Sequence, residues 1–320
     1  MSSSFDRRSL LAGLAGFGVA AAACRPATAA IRQPFFERIH RPIGLQLYTL
    51  GEDVAKDFDR AFARLVEIGY RDIELPELYG KKPADIKAAA DRAGLGISCL
   101  HISAYSIGGS LSISSEPQSI ADVLHALGVW ETVLPMSRMP PSFKMPADGN
   151  FKPAMVRAFA EADADHWKRT AELLNERALA LRPYGIRLSY HNHNVEFVPI
   201  GKSTGWEILA DNTDPTLVTF ETDIGFLGAA GIDPVAFLQR YSGRIRLVHI
   251  KDIKPTTKIN YALEMDPAVI GEGKFDWAKI LPEADKAGAK YYYVEMEPPY
   301  GILRMEAVAR SFAYLAALRA

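Results

Sequence analysis

The sequence predicts a (β/α)8 barrel, and three observations carry that prediction. Eight short apolar or β-branched runs follow one another from Ile43 onward. Amphipathic helical stretches separate them, which makes the strands parallel and covered on both faces. Nearly every run after the first ends in an ionisable residue, and a closed parallel barrel gathers such strand ends at one mouth. The chain of 320 residues is long enough for eight units, since about 250 residues is usual for this architecture. A doubly wound open sheet is the runner-up. It would normally carry a glycine-rich phosphate turn after its first strand, and Gly44 and Gly51 do not form one.

The predicted strands are Ile43–Leu50, Asp72–Leu75, Ile97–Ile102, Glu131–Met136, Ile186–His191, Leu217–Asp223, Ile245–Ile250 and Tyr291–Met296. The helices between them have recognisable stops. Phe58, Phe62 and Leu65 fall on one helical face, and Gly69 ends that helix. The stretch Ala84–Ala93 stops at Gly94, and His166–Leu181 stops before Pro183 and Gly185. Gly288 closes the helix before the eighth strand. No linker rich in Gly, Ser or Pro interrupts residues 31–320, so they read as one domain. The proline-rich segment Ser137–Phe151 is too long for a simple loop. Because it follows the fourth strand, a barrel places it at the mouth as a lid; a disordered surface insertion is the equal alternative.

Residues 1–30 read as a leader. Arg7 and Arg8 precede a mild apolar run from Leu10 to Ala23, and Ala27, Thr28 and Ala29 offer small residues to a signal peptidase. This resembles a bacterial twin-arginine export signal, with Asp6 where a small hydroxyl residue is usual. The run is too short to span a bilayer comfortably. Cys24 follows three alanines and offers lipidation as an alternative, without the usual large aliphatic residue three positions before it. The expectation is export, already folded, by the twin-arginine machinery to the periplasm, with membrane attachment only through Cys24.

Composition narrows the partners. A hydrophobic fraction of 48% supplies a large core, and a net charge of −1 without a basic run argues against nucleic acid or an anionic membrane. Cys24 and Cys99 are too few for a cysteine zinc site or a disulfide framework.

The chemistry collects at the strand ends. They present Glu74, His101, His191 with His193, Glu221 with Asp223, His249 with Lys251, and Glu295 with Glu297. Side chains alternate along a strand, so His191 and His193 share a face. Unpaired, such buried groups would cost several kcal/mol each. One divalent cation would satisfy them together, and a mixed set of imidazoles and carboxylates suits Mn²⁺ first, with Co²⁺, Fe²⁺ or Zn²⁺ as alternatives. A salt-bridge network in a plugged barrel is the competing explanation.

Residues 190–197 (YHNHNVEF), 221–223 (ETD), 230–234 (AGIDP), 243–252 (GRIRLVHIKD) and 294–295 (VE) resemble the xylose-isomerase-like TIM-barrel superfamily, and within it the sugar phosphate isomerase/epimerase branch. The resemblance spans about residues 43–318. It implies one metal ion held by His191, Asp223, His249 and Glu295. The fifth-strand ligand is a glutamate in the ketose epimerases, where it is also one of two opposed acid/base groups; His191 departs from that pattern. Most of the extra histidines of the DNA-repair branch are absent.

The expected chemistry is removal of a proton α to a carbonyl, giving an enediolate. Glu295 and Glu221 are the expected proton-transfer groups, with Lys251 as electrophilic helper. Glu74, His101, His193, Tyr48 and Phe226 are expected to meet a carbohydrate substrate. The first reading is a metal-dependent sugar isomerase or epimerase. The second is a dehydratase or lyase of a keto-sugar, inosose or 3-keto-glycoside, which His191 and export both favour. The third is a carbohydrate-binding barrel without activity.

Overall fold

Eight parallel strands close into a barrel in the computed structural model, which describes Met1, residues 33–106 and residues 109–320. They are β1 (Gly44–Gln46), β2 (Asp72–Leu75), β3 (Gly96–His101), β4 (Glu131–Leu134), β5 (Arg187–His191), β6 (Val218–Asp223), β7 (Ile245–Ile250) and β8 (Tyr291–Val294). Each run expected from the sequence holds one of them. Closure is made by β1, whose Gly44 is in register with Asp72 of β2 on one side and Tyr293 of β8 on the other. The leader expected over residues 1–30 lies outside the described residues, apart from Met1. Among the described residues no helix is long and apolar enough to cross a membrane.

The helices form where the sequence supplies both a cap and an apolar stripe. Asp57 accepts a hydrogen bond from the Arg60 N–H and starts helix Phe58–Ile68, whose Phe62 and Leu65 are fully buried. Helix Pro83–Ala93 ends at Gly94, whose φ of 71° is the left-handed conformation that glycine adopts without steric cost. Asp163 caps helix Ala164–Leu181 by accepting from the His166 N–H at 2.8 Å. The long loop after β4 is held at defined points. Tyr105 Oη accepts from the Met139 N–H at 2.7 Å, Arg138 donates to Ser114 at 2.7 Å, and Ser137 Oγ lies 3.1 Å from His166 Nε2.

Inside the barrel, Cys99, Val133, Leu247 and Tyr293 form an apolar layer. At the N-terminal strand ends Arg246 clasps Glu131 through two hydrogen bonds of 2.7 and 2.6 Å. The polar groups at the C-terminal ends therefore stand on a closed, dry base.

Candidate metal centre and substrate cleft

Strand alternation determines which side chains meet above the apolar layer. In β7, His249 follows Leu247 by two positions, and in β3, His101 follows Cys99 by two. The His249 ring is enclosed by carboxylates on both edges. Its Nδ1 lies 2.7 Å from Glu295 Oε2 and 3.8 Å from Asp223 Oδ2, and its Nε2 lies 2.6 Å from Glu74 Oε2 and 3.3 Å from Glu221 Oε1. His191 has the same two-sided arrangement, with Nδ1 2.9 Å from Glu221 Oε2 and Nε2 3.9 Å from Asp223 Oδ2. Asp223 divides its carboxylate between two tasks. Oδ1 accepts from the Phe226 N–H at 2.9 Å and caps helix Ile224–Ala229, leaving Oδ2 for the centre.

His191, Asp223 and His249 can each offer one ligand atom, and these atoms all lie within 4.8 Å of one another. Glu295 Oε2 adjoins the His249 nitrogen that faces Asp223. The opposite imidazole nitrogens meet Glu221 and Glu74. This is the carboxylate–histidine pairing that orients metal-binding imidazoles. A second group of close donors, Glu74, His101, Glu221 and His249, shares one histidine with the first. Here His101 Nε2 joins Glu221 Oε2 at 3.0 Å and Glu74 Oε1 at 3.2 Å.

A cation already lies against the first group. Lys251 Nζ is 2.7 Å from Asp223 Oδ2, 2.8 Å from Glu295 Oε2 and 2.6 Å from Glu297 Oε1. Positive charge is therefore favoured between Asp223 and Glu295, and the donor set fits a divalent ion of the Mn²⁺ to Zn²⁺ series. The charges are strongly interdependent. Burial disfavours the ionised forms of Glu221 and Glu295, yet His249 and His101 around the first, and Lys251 and His249 around the second, hold both carboxyls well below the ordinary range. Burial and then the neighbouring His191 and Lys251 hold the His193 imidazole well below its usual value.

A cleft of about 750 Å³ opens beside the centre. His193, Phe226 and Glu297 line it together with Tyr48, and the segment after β7 contributes Asn260, Leu263 and Asp266. The Tyr48 side chain is half-exposed, and the His193 ring lies 4.7 Å from the Phe226 ring, centroid to centroid. His101 lines a separate cleft above β2 and β3 with Tyr79 and Tyr105. Glu74 and Glu221 are completely enclosed, so neither faces the main cleft. Lys251 is enclosed as well and does not pair with Glu221.

Two contributors were not expected. Gln46, at the end of β1, donates to Glu74 Oε2 at 2.9 Å; a polar residue closing the first strand was the available signal. Glu297 stood among the strand-end residues but had no assigned task. Glu196 has a supporting one: its carboxylate accepts from Tyr190 Oη at 2.8 Å and from the His193 N–H at 2.9 Å, fixing the turn after β5.

Comparison with known proteins agrees with this architecture. An inosose dehydratase from Clostridium beijerinckii is 27% identical over 281 residues, covering 82% of this chain and 88% of the relative. An inosose dehydratase from Clostridium botulinum is 26% identical over 265 residues, covering 77% and 85%. Among solved structures, a sugar phosphate isomerase/epimerase from Parabacteroides distasonis superposes with a TM-score of 0.68 at 27% identity, covering 87% of this chain and 94% of that one. These relatives are enzymes. The model of the xylose isomerase-like TIM barrel family matches residues 62–318, and the chain belongs to that family.

Proposed function

We propose that this protein is a divalent-metal-dependent carbon–oxygen lyase that removes water from a keto-cyclitol or a related keto-sugar. The observation that carries the reading is the side-chain placement around the cleft. The carboxylates nearest it, Glu295 and Glu297, both come from the end of β8, and the residue contributed by the β5 turn is His193. A two-carboxylate epimerase needs opposed carboxylates, whereas an elimination needs one base and one proton donor. Similarity to two inosose dehydratases over most of the chain supports the same choice.

His191 Nε2, Asp223 Oδ2, His249 Nδ1 and Glu295 Oε2 would hold the ion. When bound, it supplies Lewis acidity toward a carbonyl and its neighbouring hydroxyl. Glu295 is the carboxylate assigned to the α-proton. As that proton leaves, the β carbon–oxygen bond breaks, and a proton delivered to the departing oxygen releases water. Lys251 holds negative charge at this end of the site, and His193, with Phe226 and Tyr48, positions the ring. Glu221 and Glu74 orient His191 and His249 from behind; their enclosure assigns them this task in place of proton transfer and substrate binding. His101 joins them from the side.

Metal content of the purified protein, measured beside His249→Ala, tests the centre: about one Mn, Co, Fe or Zn per chain is expected, with a marked loss in the variant. Inosose incubated in D₂O then separates the chemistries. Loss of water with formation of an enone is the expected result. Deuterium exchange with every oxygen retained would instead indicate an isomerase or epimerase, the reading favoured by the Parabacteroides structure. Binding without metal or turnover would leave a carbohydrate-binding barrel.

Export belongs to the same proposal. Replacing Arg7 and Arg8 by lysine should retain the protein in the cytoplasm, which cell fractionation would read directly. Unchanged periplasmic recovery would remove the twin-arginine reading.

A further inference from the structure

We propose that Lys251 is an internal stand-in for the metal ion, and that Glu297 is the positioning residue that takes its ammonium group when the ion binds. This rests on the assignment of His191, Asp223, His249 and Glu295 as the metal-holding set.

The distances define the conflict. Lys251 Nζ lies 2.7 Å from Asp223 Oδ2 and 2.8 Å from Glu295 Oε2. These are the same two oxygens that face His249 Nδ1 and would ligate the ion. An ammonium group in contact with both would stand within a few ångströms of a divalent cation, in a site cut off from solvent, where like charges repel strongly. Lys251 and the ion compete for one pair of oxygens.

The surroundings leave the ammonium one place to go. The lysine stem packs against the start of helix Ile224–Ala229, where a Cβ on Gly225 would fall 2.7 Å from Lys251 Cγ and 2.8 Å from Cδ. Any residue larger than glycine would press on that stem. Nζ also lies 4.3 Å from the centroid of the Phe226 ring, which holds the chain end from one side. Glu297 Oε1, at 2.6 Å, is the remaining carboxylate in contact with Nζ among the described residues, and it is not needed for the ion. The Glu297 side chain is 25% exposed, compared with 0% for Asp223 and 8% for Glu295, so it faces the cleft. A rotation of the terminal lysine bonds would free Asp223 and Glu295 while keeping the ammonium paired. It would also bring Nζ toward the substrate side.

The test is a double-mutant cycle read by metal affinity. Mn²⁺ or Zn²⁺ alone would be titrated in competition with a chromophoric chelator into the wild type, Glu297→Gln, a Lys251 variant and the double variant. Both Met and Gln would be used at position 251, so that a folding defect in one leaves the cycle intact. Glu297→Gln should weaken metal binding about tenfold or more, within the range for outer partners of metal ligands. Lys251→Met should bind at least as tightly as the wild type. The double variant should bind as Lys251→Met does, because Glu297 has no task once the competing ammonium is gone. Glu297→Asp should recover most of the lost affinity.

Equal losses from Glu297→Gln with and without Lys251 would overturn the inference, and so would wild-type affinity in Glu297→Gln. Either result would leave the metal centre standing. A wild type that binds neither ion would overturn the metal assignment itself, and this inference with it.

Discussion

At the scale of single residues, His101 shows how far charge outweighs burial in this site. Burial opposes its imidazolium form, but the carboxylates of Glu74 and Glu221 prevail and push the group up to about 10. A histidine raised in the folded state contributes stability that is complete below its ordinary value, near 6.5, and lost as pH rises toward 10. With chelator present, His101→Gln should therefore flatten the fall in stability between those limits. It should also cost about 3–5 kcal/mol at pH 6, as expected when one partner leaves a buried ion pair. Urea denaturation at several pH values would show this, and parallel curves for the two proteins would refute it. Sequence alternation placed His101, His191, His249 and Lys251 at one mouth, because a period of two determines the face of a strand. It did not reveal the partners. Whether Lys251 meets Glu221 or Asp223 depends on barrel register and rotamer, and the structure joins it to Asp223, Glu295 and Glu297.

Among the elements, the strands and helix stops were legible because their signals are local: β-branched runs, acidic caps and left-handed glycines. Strand β1 was less so. The run Ile43–Leu50 yields a strand only over Gly44–Gln46 before turning into a 3₁₀ helix at Leu47–Leu50. Gln46 caps that turn by accepting from the Tyr48 N–H at 3.2 Å, a contact visible only once the chain bends. The segment after β4 was expected either as a lid or as a disordered insertion, and the hydrogen bonds of Arg138 and Met139 give it defined positions. Lys152, just beyond it, donates to the Leu263 carbonyl at 2.8 Å and links it to the segment after β7. Lys152→Ala should speed tryptic cleavage at Lys144 and Lys258 while changing global stability by no more than about 0.5 kcal/mol. Unaltered cleavage rates would mean that the two segments are held independently of this link.

For the whole molecule, a near-neutral net charge of −1 conceals an uneven distribution. Glu74, Glu221, Asp223, Glu295 and Glu297 crowd one end of the barrel, opposed by Lys251, His249 and His101. Ligands contributed by β5, β6, β7 and the end of β8 tie half of the barrel's circumference to one ion, so metal binding should stabilise the closed barrel as a unit. An ion present at a hundred times its dissociation constant adds about 2.7 kcal/mol to the folded state. For a domain of this size each kcal/mol moves the melting temperature by roughly 2 °C or slightly more, so a rise of about 5 °C is expected on adding Mn²⁺ or Zn²⁺ to chelator-treated protein. The increment should shrink as pH falls, because protons then compete for the imidazole and carboxylate ligands. It should disappear in His249→Ala at every pH, since that change removes a ligand contributed by β7. Calorimetry of the treated and reloaded proteins would measure both effects. A pH-independent increment, or one retained in His249→Ala, would place the stabilising ion elsewhere on the chain.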